Sequence, residues 1–144
     1  MSMVLEDTIE INAPRDRVWQ VTTDVEAWPK WAPAMERIRR EDTGDFKLGS
    51  TALIKQKQMP ETRWTVTEID PGKRFAWQTK VLGIDMVATH IIVPGESAVT
   101  SLLRIEMEGL LIKLLGPLMK MLVSKSLKIE NQGLKHYCES SQGN

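Results

Sequence analysis

LLIKLLGPLMKMLVSKSLKIENQGLKHYCE, residues 110–139, is the stretch whose periodicity decides the fold. Lys125, Lys128, Gln132, Lys135 and Glu139 recur three and four residues apart, the spacing of one wet helical face. Ile112, Met119, Val123, Leu127, Leu134 and Tyr137 fall on the opposite side. The pattern predicts one long amphipathic helix from Leu110 to about Glu139. Gly116-Pro117 must kink it, because proline has no N–H for the helical ladder and its ring crowds the carbonyl four residues back. A helix of this length needs a broad apolar surface to cover.

The preceding chain supplies one. From about residue 35 to 109 apolar and polar residues alternate with period two. Turn signals fall at Asp42-Thr43-Gly44-Asp45, Met59-Pro60, Asp70-Pro71-Gly72-Lys73, Leu82-Gly83 and Val93-Pro94-Gly95-Glu96. Strands joined by such short turns are antiparallel neighbours. Six strands follow from this stretch, and Ile9 and Ile11, alternating with Thr8 and Glu10, add a seventh at the start. Between the first strand and the rest, Asn12-Ala13-Pro14 opens a helix with proline at its first position and Asp16 near its positive end. Asp24 is placed to cap a second, shorter helix, which the two prolines of Trp28-Pro29-Lys30-Trp31-Ala32-Pro33 keep short. The long final helix then has one burial site, the concave face of a curled sheet.

The chain has 144 residues, enough for one domain, 1–144, with its own core. Nineteen basic side chains balance nineteen acidic ones, which excludes the strong positive excess of an electrostatic nucleic-acid binder. The start, Met1 to Asp7, has neither a basic nor an apolar leader, and the apolar run 110–123 is too short for a membrane span and is broken by Lys113 and Lys120. A cytoplasmic protein without stable membrane insertion is the expectation. Cys138 is the lone cysteine, so no internal disulfide forms. His90, His136 and Cys138 show no metal-ligand spacing, so no metal is expected. Nor is a cofactor: the segment 44–51 has Ser50 where a phosphate loop needs lysine, and Gly95-Glu96-Ser97 lacks the second glycine of a nucleophile elbow.

Charge alternation sorts the strand faces. Val99, Ser101, Leu103, Ile105 and Met107 share one face, with Arg104, Glu106 and Glu108 on the other. Phe75, Trp77 and Thr79, then Ile54 and Gln56, then Trp64 and Val66 fall inside by the same test, as do Met86, Ala88, His90 and Ile92. Isolated polar groups among large apolar ones are what a ligand pocket uses, since each buried polar group without a partner costs about 1–3 kcal/mol. The other reading is that these groups satisfy one another or meet water at strand ends. The candidate ligand-facing set is Trp31, Ile54, Gln56, Trp64, Trp77, Met86, His90, Ser101, Leu103 and Ile105, with Met119, Val123, Leu127 and Glu130 from the helix.

Ile11-Asn12-Ala13-Pro14, then Val18-Trp19, Asp24 and Trp28-Pro29-Lys30-Trp31 resemble the opening of the START-like, or SRPBCC, superfamily of polyketide cyclase/dehydrase and lipid-transfer proteins. Glu68-Ile69-Asp70-Pro71-Gly72-Lys73-Arg74-Phe75, Glu108-Gly109 and Leu134-Lys135 resemble it too. The resemblance implies an α+β helix-grip fold, β-α-α-β6-α, in which a curved seven-stranded antiparallel sheet wraps the C-terminal helix. It also implies a small hydrophobic ligand, such as a lipid or polyketide, with cyclisation or dehydration in some members. The shared motifs serve the scaffold and transfer no catalytic residue.

Two residues are catalytic candidates for the enzymatic alternative, a cyclase or dehydratase. Glu130 interrupts the apolar side between Leu127 and Leu134, where burial raises a carboxyl's pKa; the plainer reading sets it at the edge of the apolar stripe or pairs it with an arginine such as Arg63. His90 titrates near neutrality when unperturbed. The segment Leu110-Leu111-Ile112-Lys113-Leu114-Leu115 is apolar nearly all round, which suits a gate, a homodimer surface or a membrane contact. An empty cavity of about 300 Å3 would cost on the order of 7 kcal/mol, against a net domain stability of about 5–15 kcal/mol, so a large pocket is expected to hold water or a ligand.

Overall fold

The structure, a computed structural model, describes residues 2–140. Met1 and residues 141–144, inside the expected extent of the domain, lie outside them. Seven strands run in chain order: β1 (Ser2–Ile11), β2 (Met35–Arg40), β3 (Thr51–Gln56), β4 (Thr62–Asp70), β5 (Arg74–Val81), β6 (Ile84–Pro94) and β7 (Val99–Glu108). They form one open, curved antiparallel sheet in the order β1-β7-β6-β5-β4-β3-β2. Register shifts between Met35 and Arg37 and between Val66 and Glu68 mark irregularities of the kind that bend a sheet. The final helix, here α2, spans Leu110–Glu139 as the periodicity predicts.

Helix α1 (Arg15–Thr23) and a 3-10 helix (Val25–Lys30) link β1 to β2. Pro14 stands one position earlier than expected, as an extended cap whose carbonyl accepts the Val18 N–H at 3.1 Å. Asp24 caps the 3-10 helix with its backbone rather than its side chain: its carbonyl accepts from Ala27. Trp28 projects inward, and its indole N–H donates to the Thr22 carbonyl at 3.1 Å. It meets Trp77 with 5.5 Å between ring centroids, and Trp77 in turn meets Trp64 and Phe75. These rings fill the concave side of the sheet beneath the two short helices.

Helix α2 lies chiefly along β1, with lesser contact to β7 and β6. Its backbone breaks at Leu115 (φ −110°, ψ 15°), two residues before Pro117. Beyond the kink the helix is anchored by Asn131, which is wholly buried. The Ser101 hydroxyl donates to the Asn131 side-chain Oδ1 at 2.9 Å, and the Asn131 side-chain Nδ2 donates to the Asp7 carboxylate at 2.8 Å and the Asp7 backbone carbonyl at 3.1 Å. Two residues on, a Cβ on Gly133 would sit 2.1 Å from the Trp31 carbonyl oxygen, so only glycine allows this approach.

Two glycine substitutions separate that approach from helix propensity. Alanine in a helix is ordinarily favoured over glycine by about 1 kcal/mol. Gly133→Ala instead destabilises by about 1–3 kcal/mol in urea unfolding, because the methyl must displace the Trp31 backbone. Gly116→Ala, whose Cβ would meet only the flexible Met3 side chain at 3.5 Å, changes stability by less than about 1 kcal/mol.

Candidate functional site

Because α2 follows the β1 side of the sheet, a gap remains toward β2 and β3. The turn after the 3-10 helix forms one wall of it. Ala32 donates to the Trp28 carbonyl at 2.7 Å, Met35 to Ala32 at 3.0 Å, and Lys57, just past β3, to Ala34 at 2.9 Å. These bonds hold Ala32, Pro33, Ala34 and Met35 opposite Leu122, Ser126 and Ile129 of α2, enclosing a recess of about 300 Å3. The walls are predominantly apolar, and the exposed Lys57 and Lys125 stand at the rim.

Glu130 also lines this recess. It is half-buried and makes no hydrogen bond or ion pair with any described residue. Loss of solvation raises its carboxyl from 4.5 to about 7. Arg63, the partner weighed for it, faces elsewhere: its guanidinium grips Glu41 at 2.6 and 2.8 Å and holds that carboxyl down at about 2.

His90, the second catalytic candidate, lies outside the recess. Its ring stacks on Phe75 at 4.6 Å and 9°, with Trp28 at 5.2 Å. Burial alone lowers its pKa from 6.5 to about 3, so it is neutral at physiological pH. The two candidate acid–base groups therefore do not share one cavity.

Of the expected ligand-facing set, only Glu130 reaches the recess. Trp31, Ile54, Trp64, Trp77, Met86, Leu103, Ile105 and Leu127 are packed in the core, with Met119 and Val123 half-buried against it. Gln56 is half-buried at the end of β3. Ser101 is occupied by Asn131, the internal satisfaction that was the alternative reading of the polar inner residues. Pattern analysis missed the small-residue wall 32–34, for which the available signal was a proline-bounded turn facing the final helix. Among the described residues no group of three or more His, Cys, Asp or Glu side chains could hold a metal ion. A second hollow, about 430 Å3 on the outer sheet face, carries Arg74 and Arg104, and these pair with Glu68 and Glu106.

Residues 3–139 match the family model for polyketide cyclase/dehydrase and lipid transport proteins. The chain belongs to this family. Its fold is START-like: a START superfamily protein from Mycobacterium smegmatis superposes with a TM-score of 0.81 at 17% identity, over 94% of this chain and 97% of that one. The Zhui aromatase/cyclase from Streptomyces sp. R1128 gives 0.82 at 15% identity, over 100% and 99%. Truncated norcoclaurine synthase from Thalictrum flavum gives 0.72 at 18% identity, over 98% and 96%. At such identities the likeness is one of fold. No curated protein sequence matches the chain. Among the described residues no helix is long and apolar enough to cross a membrane.

The buried histidine makes acid stability testable. As pH falls, the unfolded chain protonates His90 near 6.5, whereas the folded chain resists until about 3. Its contribution is complete above pH 6.5 and is lost as pH falls through that window. At pH 5 the loss is about 2 kcal/mol relative to pH 7.5. Glu130 titrates in the opposite sense, so the comparison must be with His90→Phe: the stability difference between the variant and the parent shifts by about 2 kcal/mol in the variant's favour between those pH values. A pH-independent difference in chemical denaturation would show that His90 is not desolvated.

Proposed function

We propose that this protein binds a small hydrophobic molecule, of lipid or polyketide type, with its apolar body in the recess beside α2 and a polar end at Glu130. The observation that carries this reading is a carboxyl without a partner in an otherwise apolar hollow. Near neutral pH such a group is partly protonated, so it donates to a carbonyl or accepts from a hydroxyl. The volume stands at the lower end of the about 300–1,000 Å3 of small-molecule sites. Lipid transport within the family, and the aromatase/cyclase among the similar folds, support a guest of this chemistry.

An enzymatic reading uses the same recess, with Glu130 as general acid or base, and its pKa near neutrality favours it. Cyclisation or dehydration moves protons at two places, and His90, stacked against Phe75 and Trp28, does not line the recess that Glu130 lines. Binding is therefore the reading the geometry supports best.

Glu130→Gln tests the site without a ligand. The native state keeps a proton that the unfolded chain releases near 4.5, so the parent loses stability as pH rises from 4.5 through 7. The variant gains about 1–3 kcal/mol over the parent at pH 8 and little at pH 4. For the guest, a panel of medium-chain alcohols, ketones and aromatic polyketides is screened by thermal shift. Compounds with one hydroxyl or carbonyl on an apolar body raise the melting temperature, and Ser126→Trp, which fills the recess, abolishes the shift. No shift with any compound, or a shift that survives Ser126→Trp, sinks the reading. Turnover of a polyketide that stops in Glu130→Gln establishes the enzyme instead.

A further inference from the structure

Helix α2 turns toward solvent a face that the fold does not use. Leu110, Leu114, Leu118 and Met121 follow one another at helical spacing, away from the buried Ile112 and Gly116, and are 82%, 76%, 49% and 61% exposed. Leu82, at the tip of the β5–β6 hairpin, is exposed as well. The hairpin tip abuts the start of α2: a Cβ on Gly109 would lie 2.7 Å from the Gly83 carbonyl oxygen. Leu82 thus extends the same apolar surface.

Leu82 is held there against local preference. Its φ is +51° and that of Gly83 is +77°, the left-handed pair of a two-residue hairpin in which asparagine or glycine is the usual first residue. A leucine at this position strains the backbone and gains no burial. The charge pattern gives the second observation. Between residues 110 and 129, α2 carries Lys113, Lys120, Lys125 and Lys128, all exposed and none ion-paired, and no acidic residue. The neighbouring acids precede the helix: Glu108 ends β7, and Asp85 pairs with Lys80 at 3.6 Å. A chain that is neutral as a whole therefore concentrates positive charge around exposed leucines.

We infer that this face docks the protein peripherally on an anionic lipid bilayer. Leu82, Leu110 and Leu114 enter the interface, and the lysines lie over the headgroups. A second copy is the poorer occupant, because apposing this face on itself brings lysine against lysine with no acid between residues 110 and 129 of either helix to answer them. Leu122, Lys125 and Ile129 continue the helix into the wall of the recess, so docking sets the recess beside the lipid. That last step, loading of a guest from the bilayer, rests on the ligand reading; the docking does not.

The test is co-sedimentation of the whole chain with phosphatidylcholine vesicles and with the same vesicles containing phosphatidylglycerol. Binding appears with phosphatidylglycerol and weakens as salt rises. Lys113→Glu with Lys120→Glu lowers it by at least about tenfold. Leu82→Asn gives the more specific readout, since the turn then holds a residue suited to φ > 0: thermal stability is kept or raised while vesicle binding falls. Ser126→Trp keeps vesicle binding even where it removes the ligand shift, which separates failure of this inference from failure of the ligand reading. The inference is overturned if phosphatidylglycerol vesicles do not bind, or if binding is indifferent to Leu82→Asn and the lysine reversals. It is equally overturned if sedimentation velocity without lipid shows a dimer that Leu114→Ser dissolves.

Discussion

The buried carboxamide of Asn131 sets the position of helix α2, and most of what distinguishes this molecule depends on that position. Its bonds to Ser101 of β7 and Asp7 of β1 fix both the rotation of the helix and the strands it rides on. Sliding or turning the helix would strand these groups away from water, at about 1–3 kcal/mol for each one left unpaired. Held against β1 and β7, the helix cannot also cover the β2–β3 margin, and the recess is the space left over. The same anchor aims its neighbour: with Asn131 turned to the strands, Glu130 turns to the gap. Gly133 then brings the helix against the Trp31 backbone and closes the far side of the contact.

The anchor acts on only part of the helix. Pro117 and the break at Leu115 separate the C-terminal stretch, with Leu127, Asn131, Leu134 and Cys138 buried, from an N-terminal stretch that buries only Ile112 and Gly116. One continuous element thus has a segment fixed by packing and a segment whose leucines are left to solvent. The apolar excess of 110–115 could be read from the sequence, but its direction could not. Direction depends on which residues the kink turns inward, and period alone does not fix that.

The strands, their antiparallel order and the limits of α2 were legible because each rests on a local period or a turn residue. The interior was legible only by face. Alternation correctly turns Phe75, Trp77 and His90 inward, but whether the enclosed volume is empty depends on rings arriving from elsewhere. Trp28 comes from the 3-10 helix, and Phe46 comes from a loop where periodicity carries no information, meeting Phe75 at 5.0 Å. Those rings pack on the concave face where the ligand-facing set was expected, and the recess lined by Glu130 lies at the margin. Glu130 was legible because a charge on an apolar stripe is visible in one dimension. Its wall was not, because Ala32, Pro33 and Ala34 become a surface only when the turn folds against the helix.

Desolvation acts on His90 and Glu130 in opposite directions on the pKa scale and with one consequence, since both are driven toward their neutral forms. The ordinary surface carboxylates are treated differently; Glu41 is kept charged by the arginine beside it. The interior therefore resists charge, while the surface supplies it in pairs and in the unpaired lysines of α2. Such an interior suits an uncharged guest with a single polar group. Proton shuttling asks for a donor and an acceptor facing one substrate, and here the imidazole is stacked among rings while the carboxyl stands by itself at the margin. A lone group of near-neutral pKa in an apolar wall is best fitted to hydrogen-bonding whatever enters, with its proton state adjusting to the guest.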